Sequence, residues 1–304
     1  MHRFIIVAGS SYSGSTLLAM LLGRHPRIAT VGEMTGPEPH IDENTYHCSC
    51  GNRLRDCDFW RAVARQMTSN GTTLNLRNFG TRYRPLKDNP LQRMQFSNLR
   101  TNRLENLRDF ACGLSPDCRA YRDAITRRNI ALANAILDVT GKDVFLDTSK
   151  NPTRVKPLSE ALQDRLFAIQ LTRDGRDVML SRRKYHGHIP LARAIQKWKR
   201  VNQRAQRVLE YVDPRRRYAL RYEDLASNPV ETLTRLCASI GIAYDPACLE
   251  VSPQSQHILG NTSARLGGRR QVEKPVSGKA GLSAEDSTTF DRIAGALNRS
   301  YGYE

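Results

Sequence analysis

No run of eighteen apolar residues occurs in the 304-residue chain, so it has no segment with the length and character of a membrane-spanning helix. Acid is scarce: 30 Asp and Glu stand against 47 Lys and Arg, a formal net charge of +17. Such a field draws polyanions, whether nucleotides, anionic glycans or nucleic acid. RNA-binding motifs, zinc-finger spacing and heptads are all missing, and the arginines are spread along the chain. A dedicated nucleic-acid module is therefore not expected. The first residues enter an apolar run at once, leaving no room for a signal or transit peptide, and the expected location is cytoplasmic. Seven cysteines are an odd number, better suited to reduced thiols than to a disulfide framework. Cys48-Ser-Cys50-Gly51 with Cys57 looks like half a metal site, but a second pair at ligand spacing is lacking. His47 is the neighbouring candidate for a fourth ligand. The preferred reading is buried, unligated thiols beside Phe59 and Trp60, with no metal. Cys112 and Cys118 flank a Gly/Pro turn where a local disulfide could form.

What is present begins with Phe4-Ile-Ile-Val-Ala8, Gly9-Ser-Ser-Tyr-Ser-Gly-Ser-Thr16 and Leu17-Leu18-Ala19-Met20-Leu21-Leu22. The order reads strand, tight small-residue loop, helix. Such a loop leaves backbone N–H groups free at the positive end of the helix dipole, where a phosphate is the natural guest. A nucleotide-hydrolysing P-loop is G-x-x-x-x-G-K-[ST]. Gly9, Gly14 and Thr16 keep that pattern, but Ser15 stands where the lysine that reaches the β/γ-phosphates belongs. The fold signal survives without the usual chemistry.

Hydrophobic content of 39% supports a core, and candidate strands run almost from end to end, which favours a single domain over residues 1–304. After His25-Pro26, Arg27–Val31 reads as a second strand. A polar stretch over 34–118 reads as an insertion or lid, with helices near 57–67 and 90–110. Alternation then resumes: a helix over Tyr121–Val139, a strand from Val144 ending at Asp147, a helix through Leu158 and Leu162, and a strand over Leu166–Leu171. A helix from Asp174, a long basic helix over 190–211, a strand at Tyr218–Leu220 and a helix from Asn228 to about Ile240 complete it. The fold class is α/β: a three-layer sandwich around a parallel sheet of about five strands, P-loop NTPase-like. Ligands in such sheets sit beyond the carboxyl ends of the strands, where each polar cluster of this chain falls.

Arg173 lies just past the fourth strand. Ser181 follows two helical turns on, about 12 Å of rise at ~1.5 Å per residue. A guanidinium and a hydroxyl so placed can grip one phosphate from two sides, although Arg173 pairing with a carboxylate fits the spacing equally well.

The set Ser13-Gly-Ser-Thr-Leu17, His25-Pro26, Gly32-Glu33, Arg173-Asp-Gly-Arg176 with Ser181, and Arg221-Tyr-Glu-Asp-Leu225 with Asn228-Pro229 resembles the sulfotransferase family. The likeness runs over residues 3–35 and about 143–268 and leaves 34–118 uncovered. It implies transfer of a sulfuryl group from 3′-phosphoadenosine 5′-phosphosulfate (PAPS) to a hydroxyl or amine, with release of adenosine 3′,5′-bisphosphate and no required metal. By the same resemblance Ser11, Tyr12, Ser13, Gly14, Ser15 and Thr16 cradle the 5′-phosphosulfate. Arg173 and Ser181 hold the 3′-phosphate, Tyr222 approaches the adenine, and Arg265 closes over the 3′-phosphate, with Arg269 and Arg270 as rivals.

One position departs from the family. Many members carry Lys or Arg two residues before the loop glycine, to neutralise the bridging oxygen as sulfate leaves; here it is Tyr12, a donor without charge. Lys150, in Lys150-Asn-Pro152, is the candidate replacement cation. Glu33, after the second strand, matches the glutamate that serves as base in the protein-tyrosine sulfotransferase branch, with Asp147 and His47 in reserve. A kinase acting through the same loop, or a binding protein that keeps the pocket without turnover, are the competing readings. The acceptor is a small molecule, glycan or peptide, met by the 34–118 region, whose arginines suit an anionic or sugar-like group.

Overall fold

Alternation along the first strand, β1 (Arg3–Gly9), divides the core in two. Phe4, Ile6 and Ala8 join one buried cluster and Ile5 and Val7 another, one on each face of the sheet, as a period of two requires. The computed structural model describes residues 2–37, 41–42, 44–85, 89–186, 189–250, 253–262, 266 and 281–304. β1 is the middle of five parallel strands, with β2 (Ile28–Thr30), β3 (Val144–Lys150), β4 (Leu166–Thr172) and β5 (Arg217–Arg221) in the order β2-β3-β1-β4-β5. β1 and β4 are buried almost throughout, as strands covered on both faces must be.

Helix α1 (Ser15–Leu22) follows β1 and buries Leu18, Leu21 and Leu22 on one face. On the other face lies α5 (Pro116–Thr140), with Leu132 and Ile136 in the core. α5 starts five residues before the expected Tyr121, because Ser115 accepts a hydrogen bond from the Cys118 N–H and Pro116 takes the first turn, a favourable start for a helix. The expected strand ending at Asp147 continues to Lys150. The pairing steps from Ile6↔Asp147 to Ala8↔Lys150, one extra residue on β3, and a bulge of this kind re-aims the side chains that follow.

Within 34–118 lie α2 (Asp58–Ser69), α3 (Pro90–Gln95) and α4 (Asn102–Gly113). The helix expected near 90–110 is thus two, the second opened by Thr101, whose side chain accepts from the Leu104 N–H. α2 is amphipathic, and Trp60, Val63 and Met67 are packed with Phe79 into the same cluster as Phe4 and Phe145. This part of the insertion belongs to the core.

Among the described residues the remaining α-helices are α6 (Val155–Leu162), α7 (Gly175–His186), α8 (Leu191–Val208), α9 (Tyr222–Ser227), α10 (Pro229–Ile240), α11 (Ala284–Phe290) and α12 (Ala296–Ser300), the last two joined by a π turn over Asp291–Gly295. Among the described residues no helix is long and apolar enough to cross a membrane.

Candidate active site at the carboxyl edge of the sheet

The loop between β1 and α1 turns on two left-handed residues, Tyr12 (φ 69°) and Gly14 (φ 89°). Gly14 is the N-cap of α1 and no side chain caps that helix, so its first amides are not consumed by a cap and face the loop's concavity. Ser10 and Ser13 share a 2.7 Å hydroxyl hydrogen bond. Ser15, at the P-loop lysine position, is buried. The glycine is required twice over. Besides its φ, a Cβ at position 14 would lie 2.2 Å from Cδ2 of Tyr222.

The Tyr222 ring ties the loop to the end of β4. The Arg173 guanidinium carbon stands 4.5 Å from its centroid, within cation–π range. Arg173 Nη1 donates to the Tyr12 carbonyl at 3.2 Å and reaches Ser181 Oγ at 3.5 Å, while Nη2 lies 3.6 Å from Asp177 Oδ2. Arg173 therefore does meet a carboxylate, but loosely. Its buried Nε has no hydrogen-bond partner among the described residues. The turn after Arg173 is fastened by Glu223, from the Arg221–Leu225 motif, and by Tyr303 and Asn298, which no motif had singled out. Glu223 accepts from the Asp174 N–H at 3.0 Å and from Tyr303 Oη at 2.7 Å, and Asn298 Oδ1 accepts from the Gly175 N–H at 2.9 Å.

At the edge formed by β2 and β3, Lys150 and Glu33 meet, Nζ to Oε1 at 2.5 Å. Lys150 has a left-handed backbone (φ 64°), uncommon for a residue with a side chain and a mark of strain held by its surroundings. The Thr148 N–H donates to the Gly32 carbonyl at 2.9 Å, which brings the two strand ends together. Gly260 presses on Glu33 from the other side, where a Cβ would lie 2.7 Å from Glu33 Cγ. Asp147 is not available as a base. It accepts from Ser149 and is locked to buried Arg154, 2.9 Å from Nε and 2.7 Å from Nη2. His47 is half-buried, with Nδ1 2.9 Å from the Thr45 carbonyl.

A family profile described as "Sulfotransferase family" matches residues 5–246. The chain belongs to the sulfotransferase family. The match runs through 34–118, which the motifs alone left uncovered. No curated protein is similar enough in sequence to match. Among solved structures, the sulfotransferase domain from the curacin biosynthetic pathway superposes with a TM-score of 0.53 at 19% identity, covering 100% of this chain and 98% of that one. Sulfotransferase STF9 from Mycobacterium avium gives 0.51 at 12% identity, covering 100% and 78%. These likenesses show the fold.

The sulfotransferase thus brings Tyr12, Ser13, Gly14, Ser15, Arg173, Ser181 and Tyr222 into one group, and Glu33 with Lys150 into a second, all at the carboxyl ends of parallel strands. Arg265, Arg269 and Arg270 lie outside the described residues. The cysteines differ from expectation in their fourth companion: it is His257, not His47. Its Nδ1 lies 3.3 Å from Cys57 Sγ and 3.6 Å from Cys48 Sγ. Hydrogen bonds from Cys48 and His257 pull the Cys57 thiol down to about 3, against burial, while the bond to Cys57 and burial push Cys48 up. Cys112 and Cys118 are buried free thiols.

Proposed function

We propose that this sulfotransferase uses PAPS as donor and transfers its sulfuryl group in line to a hydroxyl or amine, releasing adenosine 3′,5′-bisphosphate. The observation that carries the reading is Arg173. It stands 3.5 Å from Ser181 and over the Tyr222 ring, beside a phosphate-type loop whose lysine is replaced by Ser15. A 3′-phosphate distinguishes PAPS from ATP, and an arginine–hydroxyl pair suits it by charge-assisted hydrogen bonds.

In this reading the loop from Ser11 to Thr16 cradles the phosphosulfate through backbone amides, and Tyr222 packs beside the adenine. Lys150 supplies the charge that Tyr12 lacks for the bridging oxygen. Glu33 takes the acceptor's proton as its oxygen or nitrogen attacks sulfur. Protein cations stabilise the transferring group, so the chemistry as proposed needs no metal. Arg265 would close over the 3′-phosphate.

The acceptor enters from the 34–118 side. Thr81 Oγ1 donates to the Met34 carbonyl at 2.9 Å and Arg82 to the Gly36 carbonyl at 2.8 Å, so the insertion lies over the residues following Glu33. A small molecule, glycan or peptide, anionic or sugar-like, fits its basic character. We read the chain as one domain working in the cytoplasm, where its seven free cysteines would stay reduced. The test is transfer of radiolabelled sulfate from PAPS across a panel of hydroxyl and amine acceptors. Labelled product from the wild type, formed at least about a hundredfold more slowly by Glu33→Gln, supports the assignment; product formed equally by both removes Glu33 as base.

A further inference from the structure

Three cysteines within ten residues and a histidine two hundred residues later converge on one point. The reactive atoms of Cys48, Cys50, Cys57 and His257 all lie within 4.8 Å of one another. A zinc ion held tetrahedrally, with Zn–S near ~2.3 Å and Zn–N near ~2.0–2.1 Å, sets its sulfurs about 3.8 Å apart and its nitrogen about 3.5 Å from each sulfur. Three of the six separations are 3.7 Å between Cys50 and Cys57 Sγ, and 3.3 and 3.6 Å from His257 Nδ1 to Cys57 and Cys48, and all six lie within 4.8 Å.

The surroundings are built for such a ligand set. Residues 46–54 form a hairpin, with His47 bridged to Arg53, the Cys48 N–H on the Asn52 carbonyl and the Gly51 N–H on the Cys48 carbonyl. Gly51 turns it at φ +91°, where a side chain would be strained although space is open. The Phe59 ring lies flat on His257, centroids 4.3 Å apart and planes within 2°, which fixes the imidazole's orientation. Ser49 Oγ donates to the Gln256 carbonyl at 2.6 Å and accepts from the Ile258 N–H at 2.8 Å, so both sides of the cluster are registered before any ion arrives.

We propose that Cys48, Cys50, Cys57 and His257 bind one zinc ion as a closed structural site that fastens the 46–57 loop to the segment carrying Leu259 and Gly260. Thiolates with an imidazole in a tetrahedron select zinc among the common divalent ions. Four protein ligands leave no open position for a substrate, so the ion is structural and its thiol protons pass to solvent on binding. Its consequence reaches the reaction site through the backbone. The Leu259 N–H donates to the Val31 carbonyl at 2.8 Å, and Gly260 abuts Glu33. This inference stands apart from the proposed reaction, since metal content is read without turnover.

The test is elemental analysis of the full-length protein purified from zinc-supplemented medium, with cobalt exchange as the second measurement. The expected result is about one zinc per chain, a thiolate-to-cobalt charge-transfer band after exchange, and zinc release that tracks titration of the thiols by a mercurial. Cys50→Ser and His257→Asn should each weaken zinc retention by more than the ~10–100-fold typical of losing an outer partner, while Cys112→Ser keeps the full complement. If the ligand variants do not fold, the wild-type metal content and cobalt spectrum decide. Wild-type protein without zinc, iron in its place, no charge-transfer band, or undiminished zinc in His257→Asn would each overturn the proposal.

Discussion

The Lys150 ammonium stands 2.5 Å from Oε1 of Glu33, so the cation and the carboxylate proposed for one reaction hold each other before substrate arrives. The pair is mostly sheltered, with side chains 13% and 28% exposed. As charge builds on the donor's bridging oxygen, Lys150 has an alternative partner, and its departure leaves Glu33 free to take a proton. Glu33→Gln should lower kcat by about 10²–10⁴, the usual range for a general base, with little change in donor affinity. Lys150→Ala should lower kcat as well. The double variant should fall well short of the product of the two losses, because the residues act as a unit. Steady-state kinetics of the four proteins checks this, and full multiplicativity would separate them.

Arg173→Ala should weaken adenosine 3′,5′-bisphosphate far more than adenosine 5′-phosphate. A hydrogen bond to a charged group is worth about 1.5–3 kcal/mol, which corresponds to a loss of roughly 10- to 150-fold. Calorimetry on the two ligands reads the difference, and equal losses would remove Arg173 from the 3′-phosphate.

Gly14→Ala should damage the phosphate loop more than a methyl group's size implies. The new Cβ meets the Tyr222 ring at 2.2 Å on a left-handed backbone, and Tyr222 can yield only by disturbing Arg173. Loss of nucleotide binding with the melting temperature lowered by a few degrees is expected, following about 1–3 kcal/mol of strain. Undiminished binding would mean that the loop and Tyr222 move apart freely.

Arg154→Met should be severely destabilising. Arg154 is 1% exposed and holds Asp147, the Asn129 side chain and the Thr81 carbonyl, so the variant leaves a buried carboxylate unpaired, at a cost of about 3–5 kcal/mol. Adding Asp147→Asn should recover part of that loss, measured by denaturant unfolding. A single variant as stable as wild type would contradict the buried pair.

Local features were the legible ones. The phosphate loop is a backbone device written in contiguous residues, and the strands announce themselves because a parallel sheet is apolar on both faces. Glu33 and Lys150 could each be named from the strand end it follows, but their contact depends on β2 lying beside β3, which sequence order does not state. Features joining distant segments stayed hidden. His257 is two hundred residues from Cys57, and Tyr303 reaches Glu223 from the penultimate position of the chain. Arg154 looked like one arginine among many. The early start of α5 at Ser115-Pro116 was readable in principle, since serine before proline is a capping signal.

The central claim, that the site holds a 3′-phosphorylated adenosine nucleotide as its sulfuryl donor, is tested most directly by calorimetry of the wild-type protein. Adenosine 3′,5′-bisphosphate, adenosine 5′-phosphate and ATP with magnesium are the three ligands. The account predicts that the bisphosphate binds at least about tenfold tighter than the monophosphate, from the hydrogen bonds of Arg173 and Ser181 to the 3′-phosphate, and that magnesium does not alter its affinity. Equal affinity for the two adenosine phosphates, or tightest binding of magnesium ATP, would contradict it.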